Sequence, residues 1–275
     1  MHPFSRRFPI IQHLNARLRA LVRKAPRRRP TSAADTPATP KIIFLHIPKT
    51  AGTSVRQIVK KEYPGRQCLF IYSHSPEFLA SLQPRIPEAR AVYGHVSFGI
   101  HEILGVQGRY VTFLRDPVRR VISFFNHQAR KRDSEFYRRI RKGLTLREML
   151  RSGICHQVNN HMVRIISGHE GTDPVDDEAV LRRALSNIEQ QFAMVGLVER
   201  LPASVALLGE RLGFRRRHRI PRRNVNLRPR SRRVDDATLA DIRAYNRLDR
   251  MLYAYVQQRF EEEVRSLGLE QAHAG

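Results

Sequence analysis

Several things are scarce in this sequence. Cysteine occurs twice in 275 residues, at Cys68 and Cys155. Two thiols build neither a disulfide framework nor a four-thiolate zinc site, so both are expected to be free in a reducing compartment. No apolar run approaches the roughly 20 residues that a membrane-spanning helix needs. No uninterrupted apolar stretch of secretory-signal length occurs near the N-terminus, and Ser5-Arg6-Arg7 is not followed by the apolar region of a twin-arginine signal. H-E-x-x-H and other ligand-spaced sets of His and Cys are missing, so no metal is expected. Acids are few as well: 25 Asp and Glu stand against 50 Lys and Arg, a net charge of +25.

What is present bounds the answer further. At 41% hydrophobic residues the chain can bury a real core, as one large domain or two small ones. The basic excess sits in three blocks. Residues 1–40 carry nine Lys or Arg and one acid, residues 115–142 ten and three, and residues 211–233 eleven and none. Only seven of the 50 cations are Lys. Arginine is the planar, bidentate partner of phosphate and carboxylate, although a GC-rich genome yields the same bias. Such charge invites a nucleic-acid reading, but no helix-turn-helix, finger, RRM or OB signature accompanies it.

Residues 1–40 form a basic arm. Phe4, Phe8, Ile11, Leu14, Leu18 and Leu21 recur at helical spacing among arginines, and a Thr/Ala/Pro linker follows to Pro40. The arm reads as either a flexible basic tail or a segment in peripheral contact with an anionic membrane surface. The folded domain is expected over 41–267, with a short tail at 268–275. Apolar runs at 42–45, 67–72, 90–93, 109–114 and 192–198 read as strands. Helical patterns follow at 55–59, 118–129, 145–151, 155–166, 176–190, 202–212 and 235–266. Strands that alternate with helices predict an α/β fold of three layers, a central parallel sheet flanked by helices.

The first strand candidate runs into His46-Ile47-Pro48-Lys49-Thr50-Ala51-Gly52-Thr53-Ser54 and then a helix. A helix start after a buried strand offers unpaired N–H groups and the positive end of the dipole. Lys49 adds a point charge, Thr50, Thr53 and Ser54 add hydroxyls, and Gly52 permits close backbone approach. These are the parts of a phosphate cradle. Their order is not that of a Walker A loop, whose Lys follows its last Gly; here Lys49 precedes Gly52. An ordinary P-loop ATPase or GTPase is therefore disfavoured.

The segment His46–Ser54 resembles the 5′-phosphosulfate loop of carbohydrate sulfotransferases of the heparan sulfate 2-O-sulfotransferase-like group. Those enzymes use 3′-phosphoadenylyl sulfate (PAPS) as donor and release the desulfated nucleotide, PAP. Leu114-Arg115-Asp116-Pro117 through Phe125 is similar to the 3′-phosphate motif of that family, with Arg115 and Ser123 on the phosphate-binding positions. Tyr93-Gly94-His95-Val96-Ser97-Phe98 resembles the segment carrying the catalytic histidine, which places His95 on the base. Tyr93 stands where the family often has a second His. Weaker likeness continues through Asn160–Gly168, Val195–Arg200 and Asn246–Tyr253. Arg222 and Arg223 fall where related enzymes carry a basic loop over the nucleotide. Arg164 is a site residue or a helix-end cation, and His101 is a reserve candidate near the acceptor.

The resemblance implies a P-loop-like fold and direct in-line transfer of a sulfuryl group from PAPS to a hydroxyl of a carbohydrate or glycolipid, which the basic surface expects to be anionic. His95 would take the acceptor proton. Lys49, the N–H groups of Lys49–Ser54 and the loop hydroxyls would stabilise the leaving phosphate. Without the membrane anchor of the animal enzymes, a soluble, bacterial-type cytoplasmic protein is expected. A kinase-like nucleotide enzyme and a nucleic-acid binder are the alternatives.

Overall fold

The computed structural model describes residues 41–169, 177–214, 218 and 234–269. The expectations for the arm 1–40, for Arg222 and Arg223, and for most of the tail 268–275 lie outside these residues. Five strands form one sheet: Lys41–Leu45 (β1), Cys68–Ile71 (β2), Ala91–Gly94 (β3), Gly108–Leu114 (β4) and Phe192–Leu197 (β5). Every pairing is parallel, in the order β2-β3-β1-β4-β5. Ile43, Phe44 and Leu45 are buried in succession, and so are the five residues Tyr110–Leu114. A parallel strand covered on both faces reads as such an unbroken apolar run, which is why these segments are legible in the sequence.

The helices that flank the sheet are Gly52–Glu62 (α1), Pro76–Leu82 (α2), Ile100–Leu104 (α3), Pro117–Gln128 (α4), Tyr137–Arg141 (α5) and Leu146–Arg151 (α6). They continue as His161–Ser167 (α7), Asp177–Gln191 (α8), Leu201–Leu212 (α9), Asp236–Tyr245 (α10) and Arg247–Ser266 (α11). A second, smaller apolar cluster joins Val121 and Phe124 of α4 to Met149 and Leu150 of α6 and Ile242 of α10. Cys68 and Cys155 are free and buried, as expected of thiols outside a disulfide framework. Burial pushes their pKa values up, to about 12 and about 11.

From β1 the chain crosses to the outer strand β2, whereas from the neighbouring β4 it passes to β5 on the opposite side. The chain thus diverges between β1 and β4, and a parallel sheet binds ligands at the carboxyl ends of the strands where such a divergence opens a crevice. The loops that open there are His46–Ala51 after β1 and Arg115–Asp116 after β4.

Two expected helices are each broken in two. The pattern at 155–166 becomes a 3₁₀ turn at His156–Val158 and then α7, because Asn160 adopts the left-handed conformation, φ 45°. The pattern at 235–266 divides at Asn246 into α10 and α11. The breaks serve each other. Asn160 Oδ1 accepts from the Leu248 and Asp249 N–H groups at the start of α11 (2.9 and 3.2 Å). Asp249 in turn accepts from the Met162 and Val163 N–H groups at the start of α7 (3.1 and 2.8 Å). Asn246 Oδ1 accepts from the Asn160 N–H at 3.2 Å. Helix starts carry unsatisfied N–H groups, and here two distant helices cap one another inside the protein. The likenesses noted at Asn160–Gly168 and Asn246–Tyr253 thus mark a structural joint.

Asp249 is fully buried. Asp249→Ala would strand two buried N–H groups, and each such group costs about 1–3 kcal/mol. A loss of about 2–4 kcal/mol in urea unfolding is expected. An unchanged midpoint would show that the joint is not what holds α7 against α11.

Candidate active site

The loop after β1 is built from its own side chains. Thr112 on β4 donates its hydroxyl to Leu45 O (2.7 Å), and the His46 N–H donates to Gly94 O (2.8 Å). Both bonds hold the end of β1 between its neighbours. Lys49 and Ala51 then take positive φ, 73° and 62°. Left-handed backbone costs a non-glycine residue about 1–2 kcal/mol, and strain of this kind concentrates at ligand clamps. The resulting turn delivers the chain into α1 with the Gly52 and Thr53 N–H groups ahead of the first intrahelical bonds. No acid occupies the first turn of α1, so its dipole is free to receive an external anion.

Two residues of the loop act otherwise than the sequence suggests. The Thr50 hydroxyl is buried and donates to Ile47 O at 2.7 Å, so it closes the turn instead of meeting an anion. Gly52 is needed for a neighbouring ring. A Cβ there would lie 1.9 Å from His46 Nε2, so the glycine makes room for the imidazole across the helix start. Thr53 is exposed and Ser54 half-buried, which leaves their hydroxyls on the accessible side of the turn.

The His46 ring sits between two aromatic partners, 5.6 Å from Tyr93 in a stacked arrangement and 4.8 Å from His95. Burial, with the neighbouring His95 and the Lys49 ammonium, pulls its pKa down to about 3, so His46 is a neutral packing ring. Tyr93 donates its hydroxyl to Gly52 O at 2.9 Å. The tyrosine that replaces the second histidine therefore ties β3 to the start of α1.

His95 follows β3 directly. Its Nδ1 lies 3.2 Å from His46 O. A carbonyl only accepts, so Nδ1 carries the proton and Nε2 of the neutral ring keeps a lone pair. Partial desolvation lowers the His95 pKa, the His46 carbonyl bond opposes this, and His74 lowers it further. The residue is exposed, so its free nitrogen is accessible. The Phe98 N–H donates to Ile165 O at 3.0 Å, which anchors the far end of the segment on α7. The support of His95 thus comes from the His46 carbonyl just after β1, and that of its segment from α7.

Cations gather on the other side of the loop. Arg115, at the end of β4, donates from Nη1 to Lys49 O at 3.3 Å, while its Nε is buried without a partner among the described residues. Glu199 accepts from the Asp116 N–H (3.2 Å) and from the Tyr253 hydroxyl (2.9 Å), which positions the β4 exit. Burial and the charges of Arg115 and Arg130 lower the Lys49 pKa. Burial together with Lys49, Lys131 and Arg130 does the same to His127. Ser123 and His127 are spaced to share one face of α4, and Arg130 lies just beyond its end. Ser123 is half-buried on α4. Arg130 and His127 were missed in the sequence. The only signal was the basic block 115–142, in which nothing separated them from the exposed Arg138 and Arg141.

The remaining candidates disperse. His101 Nδ1 is held 2.7 Å from the Tyr110 hydroxyl, on the side of the sheet where Phe98 and Phe192 pack. His161 is buried, with neither ring nitrogen partnered among the described residues. Arg164 lies in the last turn of α7, where a cation suits the helix end. Among the described residues no group of three metal-ligating side chains occurs, and no helix is long and apolar enough to cross a membrane.

A cation cluster at a strained helix start, with an oriented imidazole beside it, suits polyanion binding coupled to proton abstraction. The chain is 26% identical over 262 residues to galactose-3-O-sulfotransferase 3 of Bos taurus, a match covering 85% of this chain and 60% of that protein. It therefore spans about 60% of the length of that relative. The galactose-3-O-sulfotransferase family model matches residues 11–274, beginning within the segment 1–40 that the loop and strand motifs left aside. The likeness to carbohydrate sulfotransferases holds at the level of this family. The chain belongs to the galactose-3-O-sulfotransferase family.

Proposed function

We propose that the protein transfers the sulfuryl group of PAPS to a hydroxyl of a galactose residue in a glycoconjugate. The observation that carries this reading is the His95 tautomer, with Nδ1 committed to His46 O and Nε2 accessible beside the anion cradle of β1. The acceptor oxygen forms a bond to sulfur as the bond from sulfur to the 5′-phosphate oxygen breaks. His95 Nε2 takes the acceptor proton, and the departing electron pair stays on the phosphate oxygen. Lys49 and the first N–H groups of α1 stabilise that growing charge. Arg115 fits a second phosphate, since its buried Nε lacks a partner among the described residues. No covalent enzyme intermediate is needed, and positioning supplies much of the acceleration.

The test is transfer of label from ³⁵S-PAPS to galactose-terminated oligosaccharides and glycolipids. A sulfated galactoside is the expected product; transfer only to sugars lacking galactose, or none to any acceptor, would reject the reading. Arg115 has its own prediction. Losing a charged hydrogen-bond partner of a phosphate costs about 1.5–3 kcal/mol. Calorimetry of Arg115→Ala should therefore show PAP affinity lowered by about tenfold or more and adenosine 5′-phosphate affinity little changed. Equal losses for both nucleotides would remove Arg115 from the 3′-phosphate.

A further inference from the structure

Four neighbouring strand ends place groups of different chemistry in a row along the carboxyl edge of the sheet. In the order β2, β3, β1, β4 they are Tyr72, His95, His46 with Lys49, and Arg115. Adjacent strands lie about 4.8 Å apart, so His95 stands between the cations and Tyr72. In-line displacement puts the entering and leaving oxygens on opposite sides of the sulfur. With the leaving phosphate on the β1 and β4 side, the acceptor enters from the β2 side.

That side carries an aromatic surface. Tyr72 follows β2 and is 50% exposed, the highest value among the large hydrophobic residues described. Its ring lies 6.2 Å from His95 and is stacked with Phe70 at 6.3 Å and 13°. The Arg56 guanidinium of α1 stands over both rings, 5.6 Å from Tyr72 and 5.9 Å from Phe70. Phe70 in turn rests against Tyr93 at 5.8 Å. A lone exposed aromatic would need no explanation, but this ring is fixed by a stack and a cation and is placed next to the base. The strand ends are also drawn together there. A Cβ on Gly94 would fall 2.1 Å from Ile71 O, so the glycine preceding His95 allows the approach of the residue preceding Tyr72.

We propose that Tyr72, set by Phe70 and Arg56, is the acceptor subsite and positions a pyranose by stacking on its apolar face. This rests on the reading of the protein as a galactose sulfotransferase and adds to it the residue that holds the sugar. A galactopyranoside suits such a surface, because its axial 4-hydroxyl leaves the C–H bonds of C3, C4 and C5 together on one face. The equatorial 3-hydroxyl then projects in the plane of the sugar, where a neighbouring imidazole can reach it. Tyr72 is a positioning residue; the proton goes to His95.

The experiment compares the parent protein with Tyr72→Ala and Tyr72→Phe. Saturation-transfer NMR of methyl β-galactoside in the presence of PAP reads sugar binding without turnover. We expect contact at H3, H4 and H5 in the parent and in Tyr72→Phe, and its loss in Tyr72→Ala. In the transfer assay Tyr72→Ala should raise the acceptor KM about tenfold, the scale of losing one aromatic anchor, with PAP affinity unchanged. Equal NMR contact in the parent and Tyr72→Ala, or none in the parent, would overturn the subsite. So would a fall in PAP affinity that matches the rise in acceptor KM. Sugar contact that depends on Tyr72 but is accompanied by no sulfuryl transfer would leave the subsite standing and reject the proposed reaction instead.

Discussion

Replacing His95 with alanine is expected to lower kcat by about 10²–10⁴-fold, the usual worth of a positioned general base, while PAP still binds. The two effects separate because of where the ring is held. Among the described residues its Nδ1 meets the His46 carbonyl, and the donor cradle proposed above consists of Lys49, α1 and Arg115 without it. Removing the imidazole therefore deletes a proton acceptor and leaves the anion site in place. Calorimetric titration with PAP and single-turnover transfer, measured on one preparation, test this together. A variant that loses both binding and turnover would mark His95 as a structural residue.

The same residue sets the pH profile. The base works in its neutral form, so the rate climbs as pH rises through the His95 pKa and is lost below it. Desolvation and the neighbouring His74 hold that pKa below its ordinary 6.5. The acid limb of kcat/KM is therefore expected below pH 6.5, with a plateau across neutrality. His46 does not confuse the profile, since its pKa lies near 3. The acid limb should vanish in the residual activity of His95→Ala. A limb that persists unchanged would belong to another group.

Lys49→Ala carries the second large effect. Stabilising the charge on a leaving oxygen by one preorganised donor is worth about 10²–10³ in kcat, and a loss of that size is expected here. The substitution is clean in backbone terms. Alanine at φ 73° is no worse placed than lysine, and the contact that Arg115 makes is to the main-chain oxygen of residue 49. The ammonium is thus removed without dismantling the turn. Its environment also gives it a reason to meet an anion. Burial and the charges of Arg115 and Arg130 all disfavour the protonated form, and a phosphosulfate group placed among the three cations reverses that balance. Lys49→Ala with unchanged kcat and an unchanged thermal midpoint would remove Lys49 from the leaving-group site.

Much of this was readable from the chain. The strands at 42–45 and 109–114 announce themselves as continuous apolar runs because a parallel sheet buries both faces. The turn chemistry of Pro48–Ser54 and the Arg-Asp-Pro stop after β4 follow from local rules of backbone and capping. Lys49 could be named from the basic strand-to-helix loop it belongs to, and Arg115 and His95 from segments that resemble carbohydrate sulfotransferase motifs. The helix breaks at Asn160 and Asn246 could not be named. Their helical periodicity is continuous, and the reason for breaking lies in each other, 86 residues apart along the chain.

The sequence by itself determined the elements and the kinds of groups at their ends: a strand, a basic turn, a helix start without acids, and an imidazole after a glycine. Those are consequences of hydrophobic periodicity and of local donors and acceptors, which act over a few residues. The tertiary structure alone decided the roles. It spent the Thr50 hydroxyl on the turn and assigned Gly52 to a clearance for His46. It fixed the His95 tautomer through the carbonyl that follows another strand, brought the charges of Arg130 and His127 near Lys49, and set Tyr72 on the far side of His95. Each of these rests on a strand order that pairs segments tens of residues apart, and sheet pairing of that range is settled by packing and not by neighbours in the chain.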